Sequence, residues 1–311
     1  MYYIGADIGG TTIKVGLVND TGSIVDQVRV PTVIDDLDRM VSDLTSVVRD
    51  YQKTNKIEAV GLGIPGLRNA RTHRIVTSPN IPSLTNVSLE KLVADEVHIR
   101  VVSENDANAA AYAEFIAGYG IGTQQMAYLT LGTGLGSGVI LDGKLFGGTS
   151  GYAVEFGHTV VQTDGRPCPC GSRGCLETLV SGPGILLTAL ELMKDAPQSL
   201  LHRIAEPLTS ERIFDAAIAG DTVSQTTFQR TGAWLGVGCA NLINMLNLEL
   251  IVLGGGVMAA GDLLMIPLIA EVQQRALAPS LQDCRIVQSK LWPEAGVIGA
   301  AMLARDRHAT V

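Results

Sequence analysis

The chain has 311 residues, 46% of them hydrophobic, enough for two lobes of about 100 to 200 residues each with substantial cores. A formal charge of −8 and an isoelectric point near 5.1 exclude a general nucleic-acid surface, which needs clustered Lys and Arg to displace counterions. No stretch of eighteen apolar residues runs uninterrupted, so no membrane span is expected, and the partner should be a small molecule or another protein.

Glycine supplies 35 residues and clusters at 9 to 10, 132 to 138 and 254 to 256, a distribution that suggests backbone approaching phosphate. Residues 2 to 10 read as a strand running into a turn, followed by a second strand and, after Asp20-Thr21-Gly22, a third from Ser23 to Thr32. At the first bend Gly9 and Gly10 carry no Cβ to block a polyanion, and backbone N–H groups with the hydroxyls of Thr11 and Thr12 are available to it. Asp7, at the strand end, is placed to hold Mg²⁺ or its waters. The loop lacks the Gly-Lys-Ser/Thr ending of a Walker A motif, and the hairpin that follows rules out a dinucleotide fingerprint. An ordinary glycine hairpin with a solvated Asp7 would have the same local sequence.

Residues 35 to 54 form the clearest helix, with Leu37, Met40, Val41, Leu44, Val47, Val48 and Tyr51 on one face and Asp35 or Asp36 as N-cap. The run at 59 to 66 reads as a buried strand ending in Pro65-Gly66, a turn that can present backbone to a ligand. A loop rich in Pro, Ser and Asn over 68 to 87, a short helix near 88 to 95 and the strand I-R-V-V-S-E-N lead to Asn105 and Asp106, where an Ala-rich helix begins. Asp106 there has two readings. It is a helix cap, or it is a general base held ionised by the helix dipole beside an Asn that binds a hydroxyl, and the local sequence alone favours the cap.

The second half restarts the pattern. L-T-L-G-T-G-L-G-S-G-V-I-L is again strand, Gly-Thr-Gly turn and strand, with a hairpin at Asp142-Gly143 after it. This echo of the first loop is an internal repeat, and it predicts two similar lobes facing each other across a cleft and clamping a nucleotide. From Ser181 the chain reads as helices over 182 to 194, 209 to 219, 222 to 247 and 262 to 277, interrupted by strands at 250 to 257 and 284 to 289. Gly254, Gly255 and Gly256 end a buried strand, a place for a purine or ribose to lie flat on backbone. The small-residue run near the C-terminus reads as a helix packing back onto the first lobe. The expected lobes are 1 to 117 with helix 294 to 311, and 118 to 293.

Between the halves lies the most specific stretch, E-F-G-H-T-V-V-Q-T-D-G-R-P-C-P-C-G-S-R-G-C-L-E over 155 to 177. His158, Cys168, Cys170 and Cys175 fall within eighteen residues, with Pro167, Gly171 and Gly174 supplying tight turns. A Cys₃His set closes the shell of a structural Zn²⁺ and leaves no position for an activated water, so the chemistry falls to the flanking Glu155 and Glu177. Disulfides or free thiols are the alternative. Against them stand the tight Cys-x-Cys spacing and the lack of a secretory signal, which also points to a cytoplasmic protein. Cys239 and Cys284 read as buried apolar residues.

These pieces, in this order and over essentially the whole chain, resemble the ROK family of bacterial sugar kinases and sugar-sensing repressors. D-I-G-G-T-T-I-K, with Asp7, Gly9, Gly10, Thr11, Thr12 and Lys14, is similar to the family's first phosphate motif, and the run holding Gly132, Thr133, Gly134 and Gly136 to its second. E-F-G-H and C-P-C-G-S-R-G-C-L-E resemble its sugar and zinc signature.

The resemblance implies an α/β, two-lobed actin/hexokinase-like (ribonuclease H-like) fold with a ligand cleft between the lobes. It implies an ATP-dependent hexose kinase using Mg²⁺ and a structural Zn²⁺, with Asp106 taking the proton from a 6-hydroxyl. Gly66, Asn105, Glu155, His158 and Glu177 would bind the sugar, His158 giving one ring nitrogen to zinc and the other to a hydroxyl. Glucose is the leading substrate, N-acetylglucosamine or N-acetylmannosamine the alternative. A non-catalytic repressor would carry a helix-turn-helix ahead of a first phosphate strand that here begins at Tyr2, and a chaperone-type ATPase would lack the Glu155 to Glu177 segment. A homodimer or homotetramer is expected. Ser137, where many family glucokinases have Gly, should cost backbone freedom without removing an N–H.

Overall fold

The computed structural model describes residues 1–204 and 207–308. In chain order its elements are β1 Tyr2–Ile8, β2 Thr12–Asn19, β3 Ile24–Pro31, α1 Leu37–Thr54, β4 Ile57–Ile64, β5 Leu67–Arg68, β6 Ile75–Thr77, α2 Leu89–Val97, β7 Arg100–Asn105, α3 Asp106–Ala117, β8 Met126–Leu131, β9 Leu135–Leu141 and β10 Lys144–Leu145. After the 155 to 177 stretch come α4 Glu177–Val180, α5 Gly182–Met193, α6 Ser210–Ile218, α7 Thr222–Leu246, β11 Leu250–Gly254, α8 Asp262–Arg275, α9 Ala278–Asp283, β12 Arg285–Gln288 and α10 Ala295–His308. The last three residues of the helix expected over 294 to 311 lie outside the described residues.

Two compact units divide the chain. The first holds Met1–Tyr128, Gly138–Val154 and the chain from Ser289 on, and the second holds Leu129–Ser137 and Glu155–Gln288.

In the first unit a five-stranded sheet runs in the order β3-β2-β1-β4-β7. β1 is antiparallel to β2, with Asp7 opposite Lys14, and parallel to β4, with Asp7 opposite Gly63. β4 is in turn parallel to β7, with Ile64 opposite Asn105. This register brings Asp7, the Pro65-Gly66 turn and Asn105-Asp106 to the carboxyl edge of three parallel strands, where open α/β sheets place their ligands. β4 is apolar almost throughout because both its faces are covered. α1 lays Met40, Leu44 and Val48 on the sheet, and Asp36 caps it by accepting from the Arg39 N–H.

α10 lies against the same sheet at unusually short range. A Cβ at Gly5 would stand 1.9 Å from Val297 O, one at Gly61 1.8 Å from Ala300 O, and one at Gly299 1.7 Å from Ala109 O, so only hydrogen fits at each crossing. The stretch expected as a plain loop over 68 to 87 contains the β5-β6 hairpin, with Arg68 opposite Ile75. Strands of two and three residues are too short for alternation to register, and burial of Ile75 and Arg68 holds them.

A second sheet runs β10-β9-β8-β11-β12, and the boundary between the units passes along β8 and β9. In the second unit α7 and α8 pack closely because Gly232 and Gly236 admit the carbonyls of Leu264 and Leu268, each 2.5 Å from where a Cβ would sit. α7 ends at Asn247, a left-handed cap with φ of 49°, while Asn244 accepts from the Leu277 N–H at 2.8 Å, so these two asparagines terminate and brace the helix. α9 has six residues and no apolar periodicity to reveal it in sequence. Among the described residues no helix is long and apolar enough to cross a membrane.

Candidate active site

At the strand edge of the first unit, Lys14 Nζ stands 3.9 Å from Asp7 Oδ2 and donates to Pro293 O at 2.6 Å. Burial, and then the charge of Asp106, push the Asp7 carboxyl up to about 6 against the pull of Lys14. Asp7 and Asp106 therefore sense one another, and a pair of partly buried carboxylates is a setting that a divalent cation relieves. The Gly9 to Thr12 bend is tight: the Gly9 N–H is used by Thr12 O at 3.1 Å, and Gly10 and Thr11 remain exposed.

Asp106 is not the helix cap. Asn105 fills that place, its Oδ1 accepting from the Asn108 N–H at 3.0 Å, and Asp106 becomes the first helical residue with Oδ1 accepting from the Ala107 N–H at 2.8 Å. The expectation that the helix dipole keeps Asp106 readily ionised is also corrected. Burial outweighs the Ala107 N–H and raises the carboxyl above the ordinary aspartate value, which brings it closer to the working range of a general base. Asn105 Nδ2 donates to Gly66 O at 3.3 Å, joining two predicted sugar-binding residues. Gly66 has φ of 107°, and a Cβ there would meet Thr77 O at 2.2 Å.

In the second unit the Gly132 to Gly136 loop closes on itself, with the Gly132 N–H donating to Gly134 O at 2.9 Å, and the first residue of α5, Gly182, donates to Gly132 O at 2.8 Å. Thr133 at its tip is exposed. Glu177 reaches this loop: its Oε2 accepts from the Leu135 N–H at 2.8 Å, through a space that a Cβ at Gly134 would fill, 2.5 Å from the same oxygen. The E-F-G-H segment docks on β9 through Ser137, whose Oγ accepts from the Phe156 N–H at 3.1 Å. Ser137 is thus more than a tolerated departure from Gly, since its hydroxyl ties down the residue next to Glu155. Gly255, with φ of 90°, sits where a Cβ would be 2.2 Å from Leu131 O, so this glycine lets Gly254 to Gly256 pass the end of β8.

The four putting forward sulfur or imidazole, His158, Cys168, Cys170 and Cys175, place their ligand atoms within 4.8 Å of one another. Cys168 Sγ is 3.6 Å from His158 Nδ1 and Cys170 Sγ is 3.7 Å from Cys175 Sγ, too long for a disulfide. A tetrahedral ion with bonds of about 2.3 Å to sulfur and 2.0 Å to nitrogen has edges of roughly 3.5 to 3.8 Å. The donor set therefore fits a metal. Gly174 allows the knuckle to fold, its φ of 70° bringing it to where a Cβ would lie 1.6 Å from Gln162 O. Burial pushes the Cys175 thiol up to about 12 and raises Cys168, a cost that a bound cation reverses. Cys239 is fully buried, whereas Cys284, at the end of α9, is only half-buried.

Of the predicted residues, the first unit gathers Asp7, Lys14, Gly66, Asn105 and Asp106, and the second gathers the 132 to 136 loop, Glu155, His158, Glu177 and the three cysteines. Sequence reasoning missed Glu104 and Arg307. Glu104 Oε1 accepts from the Asn105 N–H at 3.0 Å and from Asn108 Nδ2 at 3.2 Å, and its Oε2 pairs with Arg307 Nη2 at 2.6 Å. An acid on a strand that is otherwise buried was the one signal available.

Residues 3–307 match the model of the ROK family. A glucokinase of Halalkalibacterium halodurans is 34% identical over 98% of this chain and 96% of its own length. A glucokinase of Thermotoga maritima is 34% identical over 98% of this chain and 97% of its own. Among solved structures, a ROK family glucokinase from Streptomyces griseus in complex with glucose and AMPPNP has a TM-score of 0.85 at 34% identity, covering 98% of this chain and all of that one. The strand-edge carboxylates, the two glycine loops and the Cys₃His knuckle thus sit in the actin/hexokinase-like α/β fold of these sugar kinases, and the chain belongs to the ROK family.

Proposed function

We propose that this chain is an ATP-dependent hexose kinase that phosphorylates the 6-hydroxyl of glucose or a closely related hexose, with Asp106 as general base. The observation that carries this reading is the state of Asp106: Asn105 relieves it of capping, and burial raises its carboxyl toward the pH at which a base works best. The Streptomyces griseus relative, described in complex with glucose and AMPPNP, supports the choice of sugar and nucleotide.

In this reading the hexose 6-hydroxyl gives its proton to Asp106 as its oxygen attacks the γ-phosphorus and ADP leaves. Phosphoryl transfer asks little covalent help of a protein, so alignment and charge neutralisation do most of the work. Gly9, Gly10, Thr11 and Thr12, with Lys14 behind them, and Gly132, Thr133, Gly134 and Gly136 line the phosphates, and Gly254 to Gly256 take the nucleoside. Asp7 would hold Mg²⁺, which supplies charge neutralisation at the β- and γ-phosphates. Gly66, Asn105, Glu155, His158 and Glu177 hold the remaining sugar hydroxyls.

His158, Cys168, Cys170 and Cys175 hold a structural Zn²⁺. His158 turns Nδ1 toward Cys168, which leaves Nε2 for a hydroxyl. The enzyme works in the cytoplasm as a homodimer or homotetramer and opens the use of its sugar in carbohydrate breakdown. A coupled assay of ADP release over a panel of hexoses tests the proposal. Release that depends on glucose or a near relative is expected, and release indifferent to every sugar would overturn it.

A further inference from the structure

The base is only as well placed as the turn that carries it, and that turn is held from the far end of the chain. Glu104 precedes Asn105 and Asp106. One of its oxygens gathers the Asn105 N–H at 3.0 Å and the Asn108 side-chain amide at 3.2 Å, while the Asn105 side chain caps the Asn108 N–H at 3.0 Å. The first turn of α3 is therefore closed in a small box of three hydrogen bonds with Glu104 at its floor. The other Glu104 oxygen pairs with Arg307 Nη2 at 2.6 Å, and Arg307 Nη1 donates to Ser103 O at 3.2 Å, so one guanidinium grips two consecutive residues of β7.

The arm behind Arg307 is firm. α10 is seated on β1, β4 and α3 at Gly5, Gly61 and Gly299, and the residue just before Arg307, Asp306, accepts from Tyr112 of α3 at 2.5 Å. Glu104 has 12% of its side chain exposed, so its charge needs a partner. Burial opposes its ionisation, yet the Arg307 guanidinium and the Asn105 N–H hold its carboxyl below the ordinary glutamate value. Arg307 has 38% of its side chain exposed, so as an ion pair alone it adds little to stability. Its consequence is geometric.

We infer that Arg307, acting through Glu104, is a positioning residue for the phosphoryl-transfer base: the last turn of the C-terminal helix sets the orientation of Asn105 and Asp106. The inference rests on the reading of Asp106 as the base. A displacement near 1 Å at a reacting group costs up to about a hundredfold in rate, so a loosened box is expected to lower kcat and to leave nucleotide affinity alone.

The test compares wild type, Arg307→Gln, Arg307→Lys, Glu104→Gln and the Glu104→Gln/Arg307→Gln double variant by coupled ADP release at 25 °C, with circular dichroism to fix the folded fraction. Arg307→Gln is expected to lower kcat about tenfold with KM for ATP within about twofold, and Arg307→Lys to recover part of the loss. The double variant should be no worse than Arg307→Gln, because the two residues act as one unit. It also carries no unpaired charge, so it stands in if Arg307→Gln does not fold. Wild-type kcat in Arg307→Gln or in the double variant, or a loss that only follows the unfolded fraction, would overturn the inference. Asp106→Asn separates the two readings: if it keeps full activity the base assignment itself fails, whereas an inactive Asp106→Asn beside a normal Arg307→Gln removes the positioning role alone.

Discussion

The 155 to 177 knuckle and the Ser103 to Asp106 strand end both present carboxylates, but they are organised by opposite means. The knuckle is local: its four ligands fall within eighteen residues, and its turns are set by Gly171 and Gly174. The strand end is remote. Glu104 is tied to Arg307, and Arg68 reaches Ser103 Oγ at 2.7 Å while Glu90 takes the Ser103 N–H at 3.0 Å. The proposed ion would make the knuckle, built from neighbours in sequence, depend on a single centre, whereas a site built across the chain depends on many weak ties and should fail by degrees.

The largest break in that comparison comes from Asp106→Asn. It should lower kcat by about a thousandfold while calorimetry finds hexose affinity within a fewfold of wild type, since the base acts in the transition state. Next is the ion of the knuckle. Cys168→Ser, or chelation of the wild type, should remove stoichiometric zinc by metal analysis and weaken hexose binding at least about tenfold. It should also lower Tm by about 10 °C, because a structural zinc site contributes several kcal/mol to folding.

Asp7→Asn sharpens the contrast by moving activity and stability in opposite directions. The folded-state value near 6 lies above the ordinary 3.8, so the native protein takes up this proton more readily than the unfolded chain. The charged carboxyl therefore costs stability above pH 6, and the cost fades as pH falls toward 3.8. Thermal melts should show Asp7→Asn more stable than wild type at pH 7.5, by at most about 3 kcal/mol and less for its partial exposure, with the gap closed near pH 4 and turnover lost throughout. The smallest effect belongs to Ser137→Gly. Loss of the hydroxyl that receives the Phe156 N–H should cost about 1 kcal/mol in denaturant melts and raise the hexose KM a fewfold.

The difference between the regions also explains what could be read from sequence. The β-meander, α1, the four longer helices after Ser181 and the Cys₃His cluster announce themselves because period, capping and spacing are all short-range signals, whereas the six-residue α9 does not. Asp106 reads as a cap because a carboxylate at a helix start usually is one; the Asn105 side chain takes that place, and only the folded backbone decides which of two adjacent residues does so. Glu177 is legible as a carboxylate two residues after the last cysteine, but its grip on the Leu135 N–H joins residues 42 apart. Arg307 lies 203 residues from Glu104, and nothing in a local window connects them.

The most direct test of the account is hexose-dependent ADP release by wild type and Asp106→Asn measured side by side, with sugar titration calorimetry on both. Glucose-stimulated release is expected in the wild type and nearly none in the variant, which still binds the sugar. Equal release from the two proteins, or release that no sugar stimulates, would contradict it.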